Sequence, residues 1–240
     1  MPTTRSMRVL LALLVIACIG AVAAAALSTP GGAQPMSAPR SVDALVVGDS
    51  FAAGSGVKDP NAAYPELLAK ATGMRVELDA EGGTGFINRG PGAQDGSTSR
   101  LVDRLDSTAS RFPDVGLVIV DAGRNDLDSS VDALAAAASD YLLRARRHWP
   151  HAELVVIIPT FIGAQQREGY ERLQRQFGEA ADRVGATVID PVTDRWYDGG
   201  PTSGLLDSDN VHPNAQGHAL IAESLERSLR SHDVRLGQLS

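Results

Sequence analysis

Cysteine is all but missing from this chain: Cys18 is the only one in 240 residues, and it lies within the first twenty. Whatever folds beyond it has no disulfide, no thiol nucleophile and no cysteine ligands for zinc. Lysine is nearly absent too, with Lys58 and Lys70 alone among many arginines. Aromatic residues make up 5% of the chain, and no long apolar insertion interrupts the region after residue 40. Positive charge is also short. With Arg5 and Arg8 set aside, the 22 basic residues become 20 against 29 acidic ones, a formal net charge of −9. That balance argues against nucleic acid and against anionic membrane surfaces as partners. No Gly-x-Gly-x-x-Gly spacing and no Walker lysine marks a nucleotide site. His148, His151, His218 and His232 lack a partner spacing for a metal. No cofactor and no metal is therefore expected.

Residues 1–8 are basic, and Val9 to Leu27 then run without a charged residue into the Gly/Pro-rich stretch 28–39. A basic start, an apolar centre and small residues behind it describe an export signal. The apolar run would be about 28 Å long as a helix at ~1.5 Å per residue, close to the ~30 Å hydrocarbon core of a bilayer. Anchoring in a membrane through residues 9–27 is thus one option, and cleavage within the alanines 21–26 another. Lipidation at Cys18 is a third, since Val15-Ile16-Ala17-Cys18 resembles a bacterial lipobox. All three place the remainder outside the cytoplasm. Residues 1–39 are read as signal or anchor plus linker, and residues 40–240 as one domain of comfortable size.

Within that domain strands alternate with helices. Strands are expected at Val42–Val47, Met74–Leu78, Val115–Val120, Leu154–Ile158 and Thr187–Ile189, the first and third as buried apolar runs. Helical spacing covers Tyr64–Ala71, Ser99–Phe112, Ser129–His148 and Gln165–Val184, and a last helix opens at Pro213 or Asn214. Such alternation means a mostly parallel sheet covered by helices on both faces, a three-layer α/β/α sandwich.

Chemistry gathers where predicted strands end. The first strand stops at Gly48-Asp49-Ser50, at the sheet edge where open α/β folds place ligands. A serine on that turn suits a nucleophile, although Asp49 and Ser50 also have the chemistry of a helix cap. Glu81-Gly82-Gly83-Thr84-Gly85 follows the second strand, with glycines that let backbone N–H groups converge on an anion. After the third strand, Gly123-Arg124-Asn125-Asp126 can present a neutral amide donor to an oxyanion, or simply close a turn on its own backbone. Near the end, Asp209 lies three residues before His212, and Pro213 stops the segment. The aspartate can turn back onto the imidazole, fix its tautomer and stabilise its charged form. His218, six residues on, is read as structural, and Arg124 as a partner of Asp126 or Asp128.

Together these four stretches resemble the SGNH hydrolase family, also called the GDSL esterase/lipase family, over residues 42–230. The resemblance implies a flavodoxin-like fold and a serine ester hydrolase working through an acyl-enzyme. It implies Ser50 as nucleophile, His212 as general base and acid, and Asp209 as its orienting partner. The oxyanion hole would be the N–H groups of Ser50 and Gly82 with the Asn125 side chain. Ala80 stands where the family often has an asparagine, and the Gly-x-Thr-Gly spacing assigns Gly82 over Gly83. An O-acyltransferase with the same triad and a lipase for longer chains are the alternatives. The loops expected to rim the site, 83–97 and 191–208, are polar, with Phe86, Trp196 and Tyr197 as their main aromatics. Short acyl groups on envelope glycans or glycolipids, a small-molecule or glycan ester, are the expected substrate.

Overall fold

The computed structural model describes residues 42–163, 169–198 and 201–236. The leader, Cys18 and the predicted helical residues from Gln165 to Glu168 lie outside these ranges.

Strands β1 (Val42–Gly48), β2 (Val76–Ala80), β3 (Val115–Asp121), β4 (Glu153–Ile157) and β5 (Ala186–Ile189) form one sheet. Its order is β2-β1-β3-β4-β5, and every pairing is parallel. Successive side chains of a strand point to opposite faces, and here both faces are covered, which is why β1 and β3 read as continuous apolar runs. Leu45, Val47, Val118, Val120, Leu154 and Val156 pack on one side against α2 (Leu101–Arg111), α3 (Val131–His148) and α4 (Tyr170–Asp182). Ala44, Val46, Leu117, Ile119, Val155 and Ile157 pack on the other against α1 (Tyr64–Thr72) and α5 (Ala215–Ser231). The domain is the expected three-layer α/β/α sandwich.

Helix ends follow local chemistry. Ser130 caps α3, its side chain accepting the Ala133 N–H at 3.2 Å. Asn214 caps α5 by accepting the N–H groups of Gln216 and Gly217. The second strand departs from expectation, beginning two residues later than Met74 and running on to Ala80. Its extent is set by pairing with β1, from Ala44 opposite Val76 to Gly48 opposite Ala80, and not by its apolar residues.

The chain leaves β1 for β2 on one side, and β3 then pairs with β1 on the other. This reversal of strand order opens a crevice at the carboxyl ends of β1 and β3, where such folds bind ligands. Among the described residues no helix is long and apolar enough to cross a membrane.

Candidate active site

Ser50 stands in the turn that follows β1, 8% exposed at the mouth of this crevice. Asp49 shapes the turn: its Oδ1 accepts the Phe51 N–H at 3.0 Å. The Ser50 carbonyl accepts the Ser55 N–H at 2.9 Å, which closes the loop. Neither the Ser50 N–H nor the Gly82 N–H has an acceptor among the described residues. Gly82 lies beside the serine, since a Cβ there would sit 3.8 Å from the Ser50 Cβ. Gly83 is turned away, with φ +75° and its missing side chain aimed at Pro91. The backbone of Gly82 thus lies beside Ser50.

The glycine-rich turn is tied to the end of β3. Asn125 Nδ2 donates to the Thr84 carbonyl at 2.8 Å and keeps a second hydrogen free. Asp126 accepts the N–H groups of Phe86 at 2.7 Å and Asn88 at 2.8 Å, and that of Ile87 at 3.3 Å. A Cβ on Gly85 would come within 2.2 Å of Asp126 Oδ2, so only glycine lets the carboxylate reach these donors. Burial raises the Asp126 pKa against the pull of these three donors.

His212 is held from two sides. Its Nδ1 is 2.5 Å from Asp209 Oδ2, and Asp209 Oδ1 accepts the N–H groups of Val211 and His212, each at 2.9 Å. Asn210, at φ 57°, lets the chain double back. The hydrogen bond from His212 is the main cause that lowers the Asp209 pKa to about 2. Gly56 (φ +95°) lets the Ser50 loop approach: a Cβ would meet the Pro213 carbonyl oxygen at 2.2 Å and the His212 Cβ at 3.2 Å. The rings of Phe51 and His212 lie 6.1 Å apart between centroids. Among the described hydrogen bonds none joins Ser50 Oγ to His212. Catalytic contacts of this kind often close only around bound substrate.

His218 is structural. Its ring is fully buried, with Nε2 3.0 Å from the Ser55 carbonyl and Nδ1 3.3 Å from the Tyr64 N–H. These partners require a neutral imidazole protonated on Nε2, and burial lowers its pKa accordingly.

Arg124 corrects the expectation. It pairs with neither Asp126 nor Asp128. Its guanidinium turns inward to Asp121 Oδ1 at 2.8 Å and Asp49 Oδ1 at 3.3 Å. Its Nε donates to the Thr160 carbonyl at 2.9 Å. The Tyr64 hydroxyl donates to Asp121 Oδ2 at 2.7 Å, completing a buried cluster. Burial, with help from the Asp121 charge, pushes the Asp49 pKa up to about 6, against the pull of Arg124 and the Phe51 N–H. Asp126 was already committed to the loop 86–88, which leaves the arginine to the carboxylates beneath it.

Arg104, which the sequence did not single out, is buried on α2 and donates to the carbonyls of Gly48 at 2.9 Å and Ser99 at 2.6 Å. It also pairs with Asp79 and Glu81. The signal was an arginine in helical register with Leu101, Leu105 and Thr108, on the face turned to the core. Among the described residues no group of three or more His, Cys, Asp or Glu could hold a metal.

Residues 46–220 match the GDSL-like lipase/acylhydrolase family. A GDSL lipase of Mycobacterium tuberculosis, Rv0518, is 32% identical over 190 residues, covering 75% of this chain and 78% of that protein. An active-site mutant of a family two carbohydrate esterase from Clostridium thermocellum is similar in structure, with TM-score 0.62 at 17% identity. That match covers 80% of this chain and 65% of the other, so this chain spans under two thirds of the esterase. TesA is similar with TM-score 0.60 at 19% identity, over 79% of this chain and 98% of TesA. At these identities the structural likeness is one of fold.

Proposed function

We infer, for a chain that belongs to the GDSL-like lipase/acylhydrolase family and is a carboxylic ester hydrolase, that it cleaves its ester through Ser50, His212 and Asp209. Ser50 Oγ attacks the carbonyl carbon while His212 Nε2 takes its proton. Asp209 keeps Nδ1 protonated and offsets the positive charge on the ring. The tetrahedral oxyanion receives the N–H groups of Ser50 and Gly82 and the free Nδ2 hydrogen of Asn125. Collapse expels the alcohol, which takes the proton from His212. Water then attacks the acyl-enzyme, with His212 again as base, and frees the acid.

The observation that carries this reading is the Asp209 carboxylate, bound through one oxygen to His212 Nδ1 at 2.5 Å and through the other to two backbone N–H groups. An aspartate so fixed leaves the imidazole one orientation, and Gly56 brings that loop against the one carrying Ser50. The test is a fluorophosphonate label with turnover of p-nitrophenyl acetate. Wild type should be labelled once, at Ser50. Ser50→Ala and His212→Ala should each lose nearly all turnover, because nucleophile and base act as a unit. A chelator should change nothing. Full activity in Ser50→Ala would refute the mechanism.

The substrate we propose is a short acyl ester on an envelope glycan or glycolipid, met outside the cytoplasm. The basic, then apolar residues 1–27 support export, and the polar rim supports a hydroxyl-rich carrier. Protease added to intact spheroplasts of an expressing bacterium should degrade the domain, unless it is already in the medium. Full protection in the cytosolic fraction would refute export.

A further inference from the structure

Beneath Ser50 lies a charge arrangement that stability alone does not explain. Arg124, Asp49 and Asp121 are all buried, and with two carboxylates to one guanidinium the cluster is formally negative. Burying such a set is costly, and apolar residues of similar volume commonly hold a core as well or better. What an arginine offers instead is geometry. Its planar fork meets several partners in fixed directions, which neither an apolar side chain nor a lysine can do.

The partners belong to three separate strand ends. Asp49, which orients the Phe51 N–H, follows β1 and precedes Ser50 in the chain. Asp121 is the last residue of β3, and Arg124 itself adjoins Asn125. Thr160, whose carbonyl accepts from Nε, lies just beyond β4. The guanidinium carbon also sits 4.1 Å from the centre of the Phe51 ring, and Phe51 borders His212 at 6.1 Å. One side chain therefore fixes the serine turn and the oxyanion amide, and backs the ring beside the general base.

We propose that Arg124 is a positioning residue for ester cleavage, setting the Ser50 turn, Asn125 and Phe51 in register through Asp49, Asp121 and Thr160. The proposal rests on the mechanism inferred above and goes beyond it. Arg124 touches none of the reacting atoms and acts through residues that do. A displacement of about 1 Å in such a site can cost on the order of 10²-fold in rate. Loss of register should thus appear in kcat more than in KM, since the serine turn and the oxyanion amide act on the transition state and not on bound ester.

The experiment measures kcat and KM for p-nitrophenyl acetate in the full chain, with kcat referred to serine titrated by saturating fluorophosphonate. That normalisation removes any unfolded fraction, so a role confined to stability would leave kcat per titrated serine unmoved. Arg124→Lys keeps the charge and loses the fork. Its kcat should fall about 10- to 100-fold while KM stays within about threefold. Should Arg124→Lys fail to fold, Asp49→Asn decides, because it removes a buried negative charge and keeps an oxygen for the Phe51 N–H. It should show the same split, with a smaller fall in kcat. In an Asn125→Ala background the effect of Arg124→Lys should shrink, as expected for residues acting through one another. Wild-type kcat per titrated serine in either folded variant would overturn the proposal. Turnover surviving in Ser50→Ala would instead overturn the underlying mechanism, a result seen without altering Arg124.

Discussion

Asp49 joins the chemistry of the site to the stability of the fold. Its carboxyl keeps a proton up to about pH 6 in the folded chain, against an ordinary value of 3.8, and burial is the main cause. Between those values the folded state binds more protons than the unfolded state, so stability falls as pH rises through the window. Asp49→Asn has no proton to release there. Urea unfolding at pH 4, 5, 6 and 7 should show a flatter decline in the variant than in wild type, and parallel curves would refute the assignment. Asn125, as the proposed third oxyanion donor, is expected to act on rate. Its Nδ2 gives one hydrogen to the Thr84 carbonyl and keeps the other. Asn125→Ala should lower kcat about 10²- to 10³-fold, or ~2.7–4 kcal/mol, with KM little changed. A loss below about tenfold would remove the amide from the oxyanion hole.

At the scale of elements, α5 and the Ser50 loop meet through His218. The neutral ring donates to the Ser55 carbonyl and accepts the Tyr64 N–H, so it links α5 to the loop behind the serine and to the start of α1. His218→Leu would leave the buried Tyr64 N–H and the part-buried Ser55 carbonyl without this partner, at about 1–3 kcal/mol for a buried group and less for the other. Urea unfolding should show a loss of roughly 1–4 kcal/mol, and a loss well under about 1 kcal/mol would mean water or a shifted backbone replaces the ring. Elements of this kind were largely legible beforehand. Two-sided burial makes β1 and β3 read as apolar runs, and the four turns that carry the candidate residues fall at or just after strand ends, or before a capped helix. The pairing of Asp209 with His212 was legible for the same reason, being local and bounded by Pro213. The limits of β2 and the partners of Arg124 were not. Both depend on contacts far along the chain: β2 on its register with β1, Arg124 on Asp49 and Thr160. Arg104 was overlooked because its carbonyl partner Gly48 lies 56 residues away in the chain.

For the molecule as a whole, the surface around Ser50 bears on which acyl group the crevice accepts, and it favours short chains. Two of the three aromatics expected on the rim are not there. Phe86 is 3% exposed and packs edge-on against Tyr141 and Phe177, while Trp196 is 2% exposed and donates its indole N–H to Ser228. Tyr197 is half-buried against the second core. Among the described residues the large exposed apolar side chains are Leu78, Leu143 and Val211, and of these only Val211 adjoins the site, next to His212. Phe161, edge-on to Phe51 at 6.1 Å, is partly buried and adds little. Each buried methylene contributes ~0.8 kcal/mol, about fourfold in kcat/KM, but only where apolar surface receives it. With so little of it around Ser50, lengthening the acyl chain should stop helping early. Across p-nitrophenyl esters from acetate to palmitate, kcat/KM should peak between acetate and butyrate and fall beyond. A preference still rising past octanoate would show that the acyl chain finds an apolar groove, and would replace the short-acyl reading with a lipase.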